Sequence, residues 1–255
     1  MSDRAPPSRP TTRSRTHSIY ERLRDDIISG ELAPGLKLKI EALRERYDVG
    51  ATPLREALSL LTSDGFVERL DQRGFRVAQV GLSDFDELLR TRCWLEERAL
   101  RESIAHGGRD WEEGIVLALY HLSRTPRVSP DADYDGNQAW ERCHREFHMR
   151  LIAGCGSTML LRFCGQLCDE NNRYRYIARL APDARDNAYE EHNRIAEAAL
   201  ARDAELAVRR LIDHYHRTGE LLRPRLEATA APARAPRASA ARGSPQDQTK
   251  STQRV

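Results

Sequence analysis

Two histidines four residues apart, His144 and His148, would put two imidazoles on one face of a helix. His192 and His214 follow, 22 residues apart. Histidine is the commonest transition-metal ligand near neutral pH, and an i, i+4 pair presents two such groups at once. Helices meeting in a bundle can bring all four rings to one divalent cation. His216, two residues beyond His214, is a rival fourth ligand. Such a centre could pin helices together, anchor an anionic ligand, or, with open coordination positions, support hydrolytic or oxygen chemistry.

A second group of residues could read DNA. The run Val49-Gly50-Ala51-Thr52-Pro53-Leu54-Arg55-Glu56-Ala57-Leu58 opens a helix directly after a turn. Thr52 is expected as N-cap and Pro53 at the first helical position, where its missing N–H costs nothing. Leu54, Ala57, Leu58 and Leu61 share the core-facing stripe. Thr52 and Arg55 point the other way, from the end that recognition helices present to DNA. The alternative for Arg55 is a plain ion pair with a carboxylate.

The elements around these residues follow from hydrophobic spacing. Tyr20 to Ser29 reads as a helix ended by Gly30, and Ile40 to Tyr47 as a short second helix. After Asp64-Gly65, residues 66–70 and 75–77 alternate as two short strands around a basic tip at Arg73 and Gly74. Helix, helix-turn-helix and hairpin make a winged helix. From residue 81 the helical pattern is continuous, with Ser83 as an N-cap. Six helices are expected, over about 85–106, 111–123, 137–153, 158–180, 186–201 and 203–222. The fold class is therefore mainly α: an N-terminal winged helix-turn-helix followed by an antiparallel all-helical bundle.

Residues 19–77 resemble the DNA-binding domain of GntR-superfamily regulators, whose FadR-like branch often reads V-S-R-T-P-V-R-E-A-L where this chain has V-G-A-T-P-L-R-E-A-L. The resemblance implies DNA contacts by Thr52 and Arg55, with Arg73 and Gly74 in the wing. Ala51 stands where the family often places a base-reading Arg, which implies an altered operator. Residues 84–222 look like the FCD effector domain of the same branch. Its metal-binding members carry Asp-x-x-x-His, then a Glu-His pair, then His 22 residues later. The matches are His148, His192 after Glu191, and His214, with His144 at the Asp position. Four imidazoles and no carboxylate favour a borderline metal, Zn²⁺ or Ni²⁺. Arg92, in Arg92-x-x-Leu95-Glu96, resembles the family's ligand segment and could grip a carboxylate in two-pronged fashion. Asn171, Arg173 and Arg175 are candidates for a second carboxylate. The stretch 153–175 looks like the subgroup of glutarate-responsive repressors, implying a small organic acid as effector.

Charge distribution agrees with this division. Residues 1–80 carry 14 basic against 12 acidic side chains, residues 81–223 carry 21 against 25, and residues 224–255 carry 6 against 2. The acidic middle suits sensing or assembly rather than phosphate binding. Residues 1–15 and 225–255 are rich in Pro, Ala, Ser and Arg and are expected to be disordered. The working domains are 16–80 and 81–224. The absence of a signal core or apolar span points to the cytoplasm. Five cysteines follow no disulfide framework and are read as small buried residues, with a redox or thiolate role for Cys164 and Cys168 as the minority alternative.

These features suggest a homodimer that reads an inverted-repeat operator in double-stranded DNA and is released by a small carboxylate. The competing readings are a metalloenzyme, which would leave the winged helix idle, and a constitutive DNA binder with a structural metal.

Overall fold

The computed structural model describes residues 12–70, 73–127, 138–178 and 188–230. Of the residues expected to be disordered, 1–11 and 231–255 lie outside these, whereas 12–15 and 225–230 belong to helices, which corrects that expectation.

Among the described residues the head consists of three helices and a small sheet. α1 (Thr12–Ile28) buries Ile19, Leu23 and Ile27, one helical stripe. α2 (Ile40–Tyr47) buries Leu43 and Tyr47 and ends at Asp48, whose φ of 50° turns the chain sharply. α3 (Ala51–Ser63) buries Leu54, Ala57, Leu58 and Leu61. It starts two residues earlier than expected, at Ala51 instead of Pro53. Gly50 is the N-cap in extended conformation and no side chain caps the helix, so Thr52 is not the cap. Pro53 still falls in the first turn, where no intrahelical N–H is needed.

β2 (Val67–Leu70) and β3 (Gly74–Val77) form the expected hairpin, pairing Val67 with Val77 and Leu70 with Gly74. β1 (Lys37–Leu38) adds an unexpected third strand, giving the order β1-β3-β2, all antiparallel. Phe66, Val67, Phe75 and Val77 turn inward and close the head's core over α1 and α3.

Six helices follow. α4 (Leu82–His106), α5 (Arg109–Arg124), α6 (Gln138–Leu151), α7 (Thr158–Ile177), α8 (Ala188–Leu200) and α9 (Ala204–Ala230) share one aliphatic core. α4 lies between α7 and α9, while α5 packs on α6 and α8. α4 is capped by Gly81, not Ser83. Ser157 does cap α7, accepting from the Leu160 N–H at 3.2 Å. α9 continues past Pro224, although proline removes one helical hydrogen bond. Leu222 and Leu226 are both buried across that break, and Arg223 reaches Asp86 at 2.8 Å, so tertiary packing carries the helix on.

Candidate metal centre and DNA-reading surface

The four histidines come from three helices: His144 and His148 from α6, His192 from α8 and His214 from α9. All four are buried, at 3 % exposure or less. One ligand nitrogen from each lies within 4.8 Å of the others. His216 is exposed, with Nε2 4.0 Å from Cys93 Sγ. Two residues turn a helix by about 200°, so only one of the pair can face inward, and it is His214.

Neighbouring groups fix which nitrogen two of the rings offer. Tyr215 Oη donates to Glu96 and accepts from Arg92 Nη2 at 3.0 Å. Burial pushes this phenol up, so it keeps its proton. Its remaining lone pair, 3.0 Å from His148 Nδ1, therefore accepts the Nδ1–H. That makes Nε2 the unprotonated nitrogen of His148. His214 Nδ1 lies 2.8 Å from Glu191 Oε2 and donates in the same way. These tautomers are assigned from the hydrogen-bond network. His148 Nε2 faces His144 Nε2 at 3.1 Å. Buried imidazoles oriented from behind by a carboxylate and a phenol are the outer shell that metal-ligating histidines require. The donor set fits a borderline divalent cation, and none of its four members is a carboxylate.

His144 has its own setting. The Trp140 ring stacks on it with centroids 4.7 Å apart, and Glu141 Oε2 lies 3.8 Å from Nδ1. Burial, reinforced by His148 and Arg175, holds His144 well below the ordinary histidine range. It is neutral at pH 7, the state that ligates.

The arginines expected to grip a ligand divide. Arg92 is buried, with Nε 2.6 Å from Glu96 Oε1 and its guanidinium 4.0 Å from the Tyr215 ring centroid. It touches the histidine cluster through Tyr215. Arg175 Nη2 donates to Glu141 Oε1 at 2.8 Å and its guanidinium lies 5.5 Å from the Trp140 ring, beside His144. Arg173 faces elsewhere. Its Nη2 donates to the Ala78 carbonyl at the junction with the head, away from the histidines, because two residues along α7 reverse the face. Asn171 is buried on α7.

On the head, Thr52 and Arg55 are exposed at the start of α3, and no carboxylate pairs with Arg55 among the described residues. Arg73 and Gly74 are exposed beside the β2–β3 tip, and Gly74 has a φ of 94° that favours glycine. The cysteines are all free thiols. Burial pushes Cys93 and Cys168 up to about 11 and Cys164 up to about 12, which makes them inert. The only metal-competent cluster of His, Cys, Asp and Glu among the described residues is the four-histidine one.

Sequence reasoning missed Tyr215 as the group that orients His148, and Glu141 as a neighbour of His144. Their signal was adjacency: Tyr215 follows His214, and Glu141 precedes His144 by three residues.

Comparison with known proteins agrees with this architecture. Residues 15–77 match the family "Bacterial regulatory proteins, gntR family", and residues 87–217 match the FCD domain. The chain is similar to the "Uncharacterized HTH-type transcriptional regulator BphR" of Paraburkholderia xenovorans (strain LB400), with 37 % identity over 90 % of this chain and 89 % of that one. It is 33 % identical to the "HTH-type transcriptional repressor GlaR" of Escherichia coli (strain K12), over 76 % of this chain and 90 % of that one. Its fold resembles that of a putative transcriptional regulator GntR from Rhodococcus sp. RHA1. There the TM-score is 0.67 at 22 % identity, covering 82 % of this chain and 97 % of the other.

Proposed function

The chain belongs to the gntR family of bacterial regulatory proteins and carries an FCD domain, and on that premise we propose a dimeric repressor released by a small carboxylate. That it is a DNA-binding transcriptional regulator, not an enzyme, follows from the family and its relatives. The repressor sense rests on likeness to GlaR, which is named a repressor. Among the described residues no helix is long and apolar enough to cross a membrane. A regulator works where its operator is, so we place it in the cytoplasm.

The convergence of His144, His148, His192 and His214 within 4.8 Å carries the sensing half of this reading. These four residues would hold Zn²⁺ or Ni²⁺. When bound, such a cation supplies a Lewis-acidic anchor for one carboxylate oxygen. The chain's own residues do the rest. Tyr215 and Glu191 hold His148 and His214 in their ligating tautomers. Arg92, paired with Glu96, and Arg175, paired with Glu141, lie next to the cluster, and exchange of those partners for a bound acid would let the two grip a dicarboxylate. Burial excludes water and strengthens each of these contacts.

At the other end, Thr52 and Arg55 read bases in the major groove, while Arg73 and Gly74 lay the wing on the backbone. A C2 dimer of the working domains, 16–80 and 81–224, presents two heads to an inverted repeat. A tenfold loss of operator affinity on effector binding needs about 1.4 kcal/mol of coupling.

The test is elemental analysis of the purified chain and of the double variant His148→Ala, His192→Ala. Titration with glutarate, 2-hydroxyglutarate, succinate and lactate follows, with and without chelator. About one metal per wild-type chain, lost in the variant, and a chelator-sensitive acid support the reading. Equal metal content in both proteins, or an acid indifferent to chelator, overturns it.

A further inference from the structure

Asp169 on α7 is buried and stands between the bundle and the head. Two guanidinium groups reach it from different elements. Arg145 on α6 forks onto it, with Nε 2.6 Å from Oδ1 and Nη2 3.2 Å from Oδ2. Arg24 on α1 donates to Oδ2 from the head. Arg145 follows His144 directly and precedes His148, so the fork starts on the helix that carries half of the histidine cluster.

The same face of α7 makes other contacts with the head. Gln166 Nε2 lies 3.4 Å from Asp64 Oδ1, at the end of α3, and the other oxygen of Asp64 accepts from Tyr20 Oη at 2.7 Å. These flanking contacts are longer or indirect. Among the described residues, only at Asp169 does one buried anion bridge a sensor-helix cation and a head cation. Fork geometry restrains direction as well as distance, which a single hydrogen bond does not. Beside it lies a cleft of about 760 Å³ whose lining includes Arg24, Tyr47, Arg145, Asp169 and Tyr176.

We propose that Asp169 is the positioning residue that sets the DNA-binding head against the bundle, with Arg145 the arm through which α6 moves it. A shift of α6 carries Arg145, the fork carries Asp169, and Asp169 carries Arg24 with α1. The second half of this inference rests on the reading that α6 holds a metal. The first half does not.

The experiment measures head-to-bundle distances in the full chain by double electron–electron resonance. Spin labels on p-acetylphenylalanine replace Ser59 on α3 and Glu220 on α9, diluted with unlabelled chain so that distances within one protomer dominate. Wild type, Asp169→Asn, Arg145→Gln and Arg24→Gln are compared with and without Zn²⁺, and zinc affinity is measured on each sample. Without zinc, Asp169→Asn and Arg24→Gln are expected to broaden the distribution, while Arg145→Gln leaves it near wild type. With zinc, the wild-type distribution shifts, and Arg145→Gln loses that shift while binding zinc within about threefold of wild type. A purely structural role for Asp169 would not make the zinc response depend on Arg145. Unchanged distributions in metal-free Asp169→Asn overturn the positioning role. A zinc-dependent shift that survives in Arg145→Gln, or is missing from a zinc-binding wild type, overturns the arm. If wild type binds no zinc, the metal reading fails instead, and the metal-free comparison still judges Asp169.

Discussion

Tyr215→Phe removes one oxygen from the point where the ligating ring of His148 meets a buried ion pair. The side chain keeps its volume, so no cavity forms. Arg92 and Glu96 keep each other at 2.6 Å, so neither charge is stranded. What is lost is the acceptor for His148 Nδ1–H, 3.0 Å away in the wild type, and one hydrogen bond to each charged partner. A buried donor left without an acceptor costs about 1–3 kcal/mol. The ring can recover by moving its proton to Nε2, but that places a hydrogen on the nitrogen needed for ligation. Metal affinity should therefore fall about tenfold, within the 10–100-fold range typical of outer-shell changes. Thermal unfolding of the metal-free chain should drop by roughly 2–12 °C, from about 2–4 °C per kcal/mol for a domain of this size. The assay is competition with a chromophoric chelator for Zn²⁺ at pH 7.5, alongside circular dichroism melting. A variant that melts lower but holds zinc within twofold of wild type would show that Tyr215 supports the fold without orienting His148, and the tautomer assignment would be wrong.

Three other outcomes follow from the same geometry. Arg55→Ala should cost about 1–3 kcal/mol of specific operator affinity with fold and dimer intact; fluorescence anisotropy at fixed salt checks it, and unchanged affinity removes Arg55 from the reading surface. Arg92→Ala with Glu96→Gln, paired so that no buried carboxylate is stranded, should weaken effector binding ten- to a hundredfold, with effector-free operator affinity near wild type; calorimetric titration decides, and undiminished binding puts the ligand elsewhere. The metal-free chain should lose stability in acid. His144 has its pKa lowered by folding, so the unfolded ring binds its proton first, and stability is full above about pH 6.5 and falls as pH drops from there toward the folded value. Urea unfolding between pH 8 and 5 tests this. A midpoint that is flat across that range in wild type, or equally sloped in His144→Asn, counts against it.

Much of the head was legible because its signals are local. Gly50, Pro53 and the stripe Leu54, Ala57, Leu58, Leu61 lie within twelve residues and leave few alternatives. β1 escaped because two residues cannot display an alternating pattern. The histidine cluster was legible in identity, since helical spacing puts His144 and His148 on one face, but choosing His214 over His216 from the residues alone needed the rotation of α9. The last helix was expected to end near residue 222, but it runs on past Pro224 because Leu226 is buried. Arg173 and Arg175 looked equivalent in sequence, yet α7 sends one to the head and the other to the histidines. Asp169 gave no signal at all, because its partner Arg24 lies 145 residues away and such pairings are settled only by docking of finished elements.

The two faces of α7 bear on how such a regulator can change its target. The chain passes from head to bundle near residues 78–81, and a simple graft would cut there. Yet the bundle's Gln166, Asp169 and Arg173 hold the head's Asp64, Arg24 and Ala78 carbonyl, so the seam in the sequence is not the seam in energy. A foreign head joined at residue 80 would arrive without its half of that surface, and should hang loosely from its linker whatever its own stability. Rewriting Thr52, Arg55 and the wing tip, by contrast, leaves the docking surface untouched. New operator specificity is thus cheaper to reach by altering the exposed start of α3 than by exchanging whole modules.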